Sequence, residues 1–119
     1  MVREKMRWVL FEVIGDSLEE KELIQSIRRT LFELFGTFGA SKVFFRIVEY
    51  DQDKGLGILR TNLEGLSLLR IAFFFLRKIG SKRILINDLL VSGTIAALKG
   101  KMGRIRTWRE RLSFLNSIA

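Results

Sequence analysis

The chain of 119 residues contains no cysteine, no histidine and no proline. Without cysteine, neither a disulfide framework nor a thiolate zinc site can form, and redox usage is silent on compartment. Without histidine, imidazole metal sites, histidine triads and imidazole general bases are excluded, so catalysis within this chain would fall to carboxylate, lysine, tyrosine or hydroxyl groups. No apolar stretch approaches a membrane span. The start of the chain, charged at Arg3, Glu4, Lys5 and Arg7 and with its apolar run cut by Glu12, does not read as a signal peptide. A cytoplasmic location is expected.

Acidic residues are scarce in one half only. Residues 70–119 hold eleven Lys and Arg against two acids, Asp88 and Glu110, a balance of +9, whereas residues 1–69 sum to −1 and the whole chain to +8. A folded domain with one basic flank attracts polyanions through counterion release. The apolar content of 48% suits one domain able to bury a sizeable core. No linker, repeat or low-complexity block divides it. The expected organisation is a single domain over 1–119, with a core over 1–91 and a basic helical extension over 92–119.

Trp8 to Ile14 is an apolar run ending at Gly15 and predicts a strand buried on both faces. Asp16 or Ser17 then caps a helix whose stripe is Ile24, Ile27, Leu31, Leu34 and Phe38, with Gly36 and Gly39 ending it. Lys42 to Tyr50 and Leu56 to Thr61 are strand-like and flank a polar turn, 51–55, predicting an antiparallel pair. A second helix runs from Asn62 to Gly80 with two apolar stripes, Leu66/Leu69/Phe73/Leu76 and Leu68/Ala72/Phe75/Ile79; either it is sandwiched inside the fold or one stripe faces a partner. Arg83 to Val91 gives a fourth strand, interrupted at Asn87-Asp88 as a bend or bulge interrupts one. The order is that of a ferredoxin-like α+β fold, βαββαβ, a four-stranded antiparallel sheet with two helices on one face.

RNA-recognition domains share that topology and stack bases on aromatics of the open sheet face. Residues 54–61, Lys-Gly-Leu-Gly-Ile-Leu-Arg-Thr, have the spacing of their octamer signature but carry Leu56 and Ile58 where stacking rings belong. Additional C-terminal helices covering this second face explain that substitution better. Ile105, Trp108, Leu112 and Leu115 form a helical stripe, with Arg104, Arg109 and Arg111 beside it, their stems able to lie along the sheet while the guanidinium groups stay in water. Ser92 or Thr94 caps the helix that begins the extension, and its amides either hold an anion or simply complete a strand-to-helix turn. Asp51 and Asp53 are turn residues before they are a magnesium site.

The opening strand Arg7-Trp8-Val9-Leu10-Phe11-Glu12-Val13, the Gly57-Ile58-Leu59-Arg60 strand, the Leu66 to Leu76 helix containing Arg70, and above all Val91-Ser92-Gly93-Thr94-Ile95 resemble ribonuclease P protein component 2. This is the small ferredoxin-like subunit family of the archaeal enzyme, with eukaryotic relatives, and the likeness covers nearly the whole chain. The resemblance implies a subunit of the endoribonuclease that removes 5′ leaders from precursor tRNA. It also implies that the RNA is the catalyst and holds the magnesium ions, that this chain binds no cofactor, and that a larger barrel-like subunit, protein component 3, is its partner. Phosphate contacts are expected from Lys82, Arg83, Lys99, Lys101, Arg104, Arg106, Arg109 and Arg111, with Arg70, Arg77 and Lys78 behind them. No catalytic residue and no metal ligand is assigned. Leu66, Leu69, Phe73 and Leu76 are expected to meet the barrel-like subunit or, as a homodimer, a second copy of this chain.

Two other functions fit the residues alone. One is a small ferredoxin-like enzyme acting on a phosphate or acyl ester through basic residues and the turn at Ser92 to Thr94. The other is an amphipathic module lying on anionic membranes through Ile105 to Leu115; the ribonucleoprotein reading requires no membrane.

Overall fold

The computed structural model describes residues 5–102. The chain order is β1 (Met6–Gly15), α1 (Glu20–Ser41), β2 (Phe45–Asp51), β3 (Leu56–Asn62), α2 (Leu63–Phe75), β4 (Lys78–Ile79), β5 (Lys82–Ser92) and α3 (Ile95–Met102). All pairings are antiparallel, and the strands lie side by side as β2-β3-β1-β5-β4.

The sheet therefore has five strands where four were expected. The extra one comes from residues assigned to the second helix. That helix ends at Phe75, where the Leu76 amide still reaches back to the Ala72 carbonyl at 2.9 Å, and the chain then forms a small hairpin in which Lys78 faces Arg83 and Ile79 faces Lys82. Gly80, at φ +59°, makes the turn. A glycine with positive φ serves a hairpin and a helix end equally well, so the sequence does not distinguish them.

The first helix differs in two ways. Its N-cap is Glu19, whose amide donates to Glu22 Oε1 at 3.4 Å, rather than Asp16 or Ser17. Asp16 instead accepts the Arg83 amide at 2.8 Å and returns its own amide to the Arg83 carbonyl at 3.0 Å, locking the end of β1 to β5. Ser17 Oγ accepts from Gln52 Nε2 at 3.1 Å. The helix also continues to Ser41, broken rather than ended at Gly36, whose φ of 70° no neighbouring helical residue shares.

Alternation along the strands sorts their side chains between two faces. Val9, Phe11 and Val13 of β1, Ile47 of β2, Leu59 of β3 and Ile84 and Ile86 of β5 meet Leu23, Ile27 and Leu31 of α1 and Leu66, Leu69, Ala72 and Phe73 of α2 in the main core. Each such fully buried aliphatic or aromatic side chain contributes roughly 1.5–3 kcal/mol of transfer free energy. Phe11 stacks on Tyr50 at 6.2 Å, and the Tyr50 hydroxyl donates to the Leu18 carbonyl at 2.7 Å. Gly57 is obligatory beneath that ring, because a Cβ there would lie 2.5 Å from Phe11 Cζ.

The middle of the opposite face is covered by α3. Leu98 is fully buried against Leu10 and Ile58, with Trp8, Leu89, Leu90 and Met102 around them. Thr94 caps α3 through its Oγ1, which accepts the Ala97 amide at 3.1 Å. Ile58 is thus covered by the C-terminal part, while Leu56 is half-buried. The expected stripe Ile105, Trp108, Leu112 and Leu115 lies outside the described residues. β1, as anticipated, is buried on both faces from Val9 to Val13.

Two bulges bring the second face into phase. One, between Leu10 and Phe11, leaves Leu89 of β5 unpaired, one residue beyond the Asn87-Asp88 irregularity expected there. The other leaves Val48 of β2 unpaired, so that Ile47 faces the main core while Glu49 faces α3. Nothing in the apolar pattern announces this second bulge.

Candidate nucleic-acid interface

Of the cations singled out in the sequence, Lys82 and Arg83 open β5 and Lys99 and Lys101 lie on α3. Arg104, Arg106, Arg109 and Arg111 lie outside the described residues. Lys82 is engaged with Glu22 of α1, Nζ to Oε1 at 2.9 Å, and this hydrogen bond is the main reason the Glu22 carboxyl is held below its ordinary value of 4.5. Lys99 is paired with Glu49 at 2.8 Å, with both side chains half-exposed, so the pair holds α3 to the edge strand only weakly. Arg83 and Lys101 are exposed.

Arg70 pairs with Asp88 at 3.0 Å across α2 and β5. The Arg77 guanidinium lies 5.1 Å from the Phe74 ring centroid. The short hairpin therefore gathers Arg77, Lys78, Lys82 and Arg83, which the sequence separates between two apparent elements. Arg29 of α1 joins Arg77 and Lys78 around a hollow of about 390 Å³ that also includes Thr30 and Glu33. Sequence reasoning passed over Arg29, Arg46 and Arg60. Arg60 was legible, since alternation sets it on the face of Ile58 rather than in the core.

The expected partner stripe is corrected by burial. Leu66, Leu69, Phe73 and Leu76 are 8%, 0%, 3% and 6% exposed and belong to this chain's own core. They cannot reach another subunit without unfolding α2, because the stripe faces the sheet and α1. The exposed apolar side chains are elsewhere, among them Phe32, Phe38 and Phe44 around α1 and the start of β2, and Phe74 and Phe75 at the end of α2.

Little in the described region is arranged for chemistry. Among the described residues no group of three or more His, Cys, Asp or Glu could hold a metal ion. Asp51 Oδ1 accepts the Lys54 amide at 3.2 Å, which is turn chemistry. Thr94 is occupied as a helix cap, and the buried Glu12 carboxylate accepts from Asn87 Nδ2 at 3.3 Å. No described helix is long and apolar enough to cross a membrane.

A small antiparallel α+β protein with cations on its rim and no catalytic cluster among its described residues is a class with many members. Sequence comparison narrows it: the chain belongs to the Rpp14/Pop5 family, whose model matches residues 7–102. It is 31% identical over 109 residues to ribonuclease P protein component 2 of Pyrococcus horikoshii, covering 91% of each chain. It is 34% identical to the protein of the same name from Methanocaldococcus jannaschii, covering 93% of this chain and 87% of that one. A chain in the cryo-EM structure of yeast ribonuclease MRP superposes with a TM-score of 0.66 at 11% identity, over 87% of this chain and 93% of that chain, a likeness of fold.

Proposed function

We propose that this chain is a protein subunit of ribonuclease P and supports the catalytic RNA in removing 5′ leaders from precursor tRNA. The observation that carries the reading is the family match over residues 7–102, joined by relatives bearing that name along nearly their full length. The core is read as ferredoxin-like with a short added hairpin, since its four long strands keep the order β2-β3-β1-β5. Residues 92–119 form its basic extension, and the chain works in the cytoplasm.

The contribution of this chain is electrostatic. Lys101, Arg83 and the arginines from Arg104 onward neutralise phosphates, so that crowded RNA helices pack at lower magnesium. Cleavage belongs to the RNA and its magnesium ions, and this chain holds neither a catalytic group nor a cofactor. Protein neighbours are the barrel-like component 3 and, as a homodimer, a second copy. Phe32, Phe38 and Phe44 supply apolar surface that the α2 stripe does not.

Salt dependence tests the electrostatic part. If six of the eight candidate cations each neutralise one phosphate, the logarithm of the affinity for the catalytic RNA falls against log salt with a slope of about −4 to −5. A slope near zero would remove phosphate binding from the account.

A further inference from the structure

The part of the second sheet face beyond α3 has a composition of its own. Register sets Arg46 of β2 opposite Arg60 of β3, Arg60 opposite Trp8 of β1, and Trp8 opposite Ser92 of β5. Since Phe45, Ile47, Leu59 and Val9 face the main core, alternation turns this row to the other side. The next row, Glu49, Ile58, Leu10 and Leu90, is the one that Leu98 covers. The row after that is Asp51, Leu56, Glu12 and Asn87. The face is therefore zoned: cationic and aromatic at one end, apolar beneath α3, acidic and polar at the other.

Four observations converge on the cationic end. The Arg60 guanidinium lies 5.2 Å from the Trp8 ring centroid. Arg60 Nε is buried and has no hydrogen-bond partner among the described residues. Neither Arg46 nor Arg60 takes part in the ion pairs of the described residues, which join Arg70 to Asp88, Lys82 to Glu22 and Lys99 to Glu49. Beside them opens a hollow of about 300 Å³ lined by Trp8, Arg46, Ile47, Val48 and Arg60. A buried cationic N–H without an acceptor is unfavourable, so an anion arriving there gains a hydrogen bond that the described residues do not make.

We propose that this row binds one nucleotide of single-stranded RNA, with phosphate oxygens on Arg46 and Arg60 and the base against the guanidinium–indole stack. The proposal rests on the RNA-binding reading above and gives it a site outside the basic extension. A splayed base offers both parts of the complement, a planar π-face and an adjoining anion, whereas duplex RNA keeps its bases stacked inside. The Glu12 and Asp51 end repels phosphate, so the strand is confined to the Arg46 side.

The test uses the full chain and two labelled probes, octauridylate and a blunt RNA duplex, followed by fluorescence anisotropy across a salt series. Arg60→Ala and Arg60→Lys are each expected to weaken octauridylate binding about tenfold, because an ammonium lacks the plane that stacks. Arg46→Ala is expected to reduce the salt slope by about 1, and Trp8→Phe to retain most of the affinity. Duplex binding stays within about twofold in every variant, since it depends on phosphate contacts elsewhere. Arg46 is exposed on an edge strand, so its variant reads the site even if substitution at Arg60 disturbs folding. Octauridylate affinity and slope unchanged in Arg46→Ala and Arg60→Lys, with duplex binding intact, would sink the site and leave the RNA-binding reading standing. A wild-type chain that binds neither probe would overturn that reading itself. Displacement of octauridylate by an equal concentration of octaglutamate would reassign the row to an acidic protein segment.

Discussion

On the α1/α2 side of the sheet the buried side chains come from every long element and form one continuous apolar layer, whereas on the α3 side, among the described residues, only Leu10, Ile58 and Leu98 are buried together. The first layer is a core in the ordinary sense, and its residues are spent on stability. The second is a narrow apolar strip pinned by one short helix, with unlike charges at its two ends. Coverage of the second face by the described residues is thus partial, and the distinction matters for function: a fully covered sheet leaves only rim cations for RNA, while a partly covered one also leaves Arg46, Arg60 and Trp8.

Substitutions on the two sides can break this contrast. Phe11→Ala removes a ring that is 0% exposed and packs on Gly57 and Tyr50, and is expected to cost about 3–5 kcal/mol in chemical denaturation. Leu98→Ala is expected to cost less, about 2–3 kcal/mol, because α3 can shift to close the space. Its signature in hydrogen exchange is lost protection in α3 with sheet amides still protected. Equal costs for the two, with global loss of protection in both, would mean that the faces are one cooperative core.

Smaller effects sharpen the same picture. Lys99→Ala breaks the half-exposed pair with Glu49 and is expected to change stability by less than about 1 kcal/mol. If it does more, α3 is held by charge rather than by Leu98. Smallest is Glu22→Gln. The Glu22 carboxyl titrates below 4.5 when folded, so its contribution is present above that value and is lost as pH falls through the lowered one. Melting curves of wild type and variant should differ slightly at neutral pH and converge in strong acid; a difference that persists there would assign the effect to packing.

The elements were legible because their signals are local. Alternation and helical spacing placed β1, both long helices and the antiparallel pair, and the glycine at 55 with its φ of 66° sits in the turn expected to need one. What escaped depends on strand pairing that the apolar pattern does not encode. The hairpin at Gly80 exists because Lys82 and Arg83 are available to pair with Lys78 and Ile79, and the bulge at Val48 because Glu49 must face α3 while Ile47 faces the core. The site divided in the same way. Basic composition pointed to residues 70–119 for charge, whereas a search for aromatics at Leu56 and Ile58 looked at the acidic row and the covered row, two rows and one row away from Trp8 and Arg60. The stripe Leu66, Leu69, Phe73 and Leu76 was misassigned because an apolar helix face looks the same whether it meets its own sheet or another subunit.

The central claim is that the chain is a working part of a ribonucleoprotein that matures tRNA. It is tested most directly by cleavage of precursor tRNA across a magnesium titration, with catalytic RNA and the barrel-like protein present and this chain included or omitted. The account predicts that adding the chain shifts the titration to lower magnesium and raises the rate at limiting magnesium, and that Lys101→Glu with Arg83→Glu reverses part of that gain. Superimposable titrations with and without the chain would contradict it.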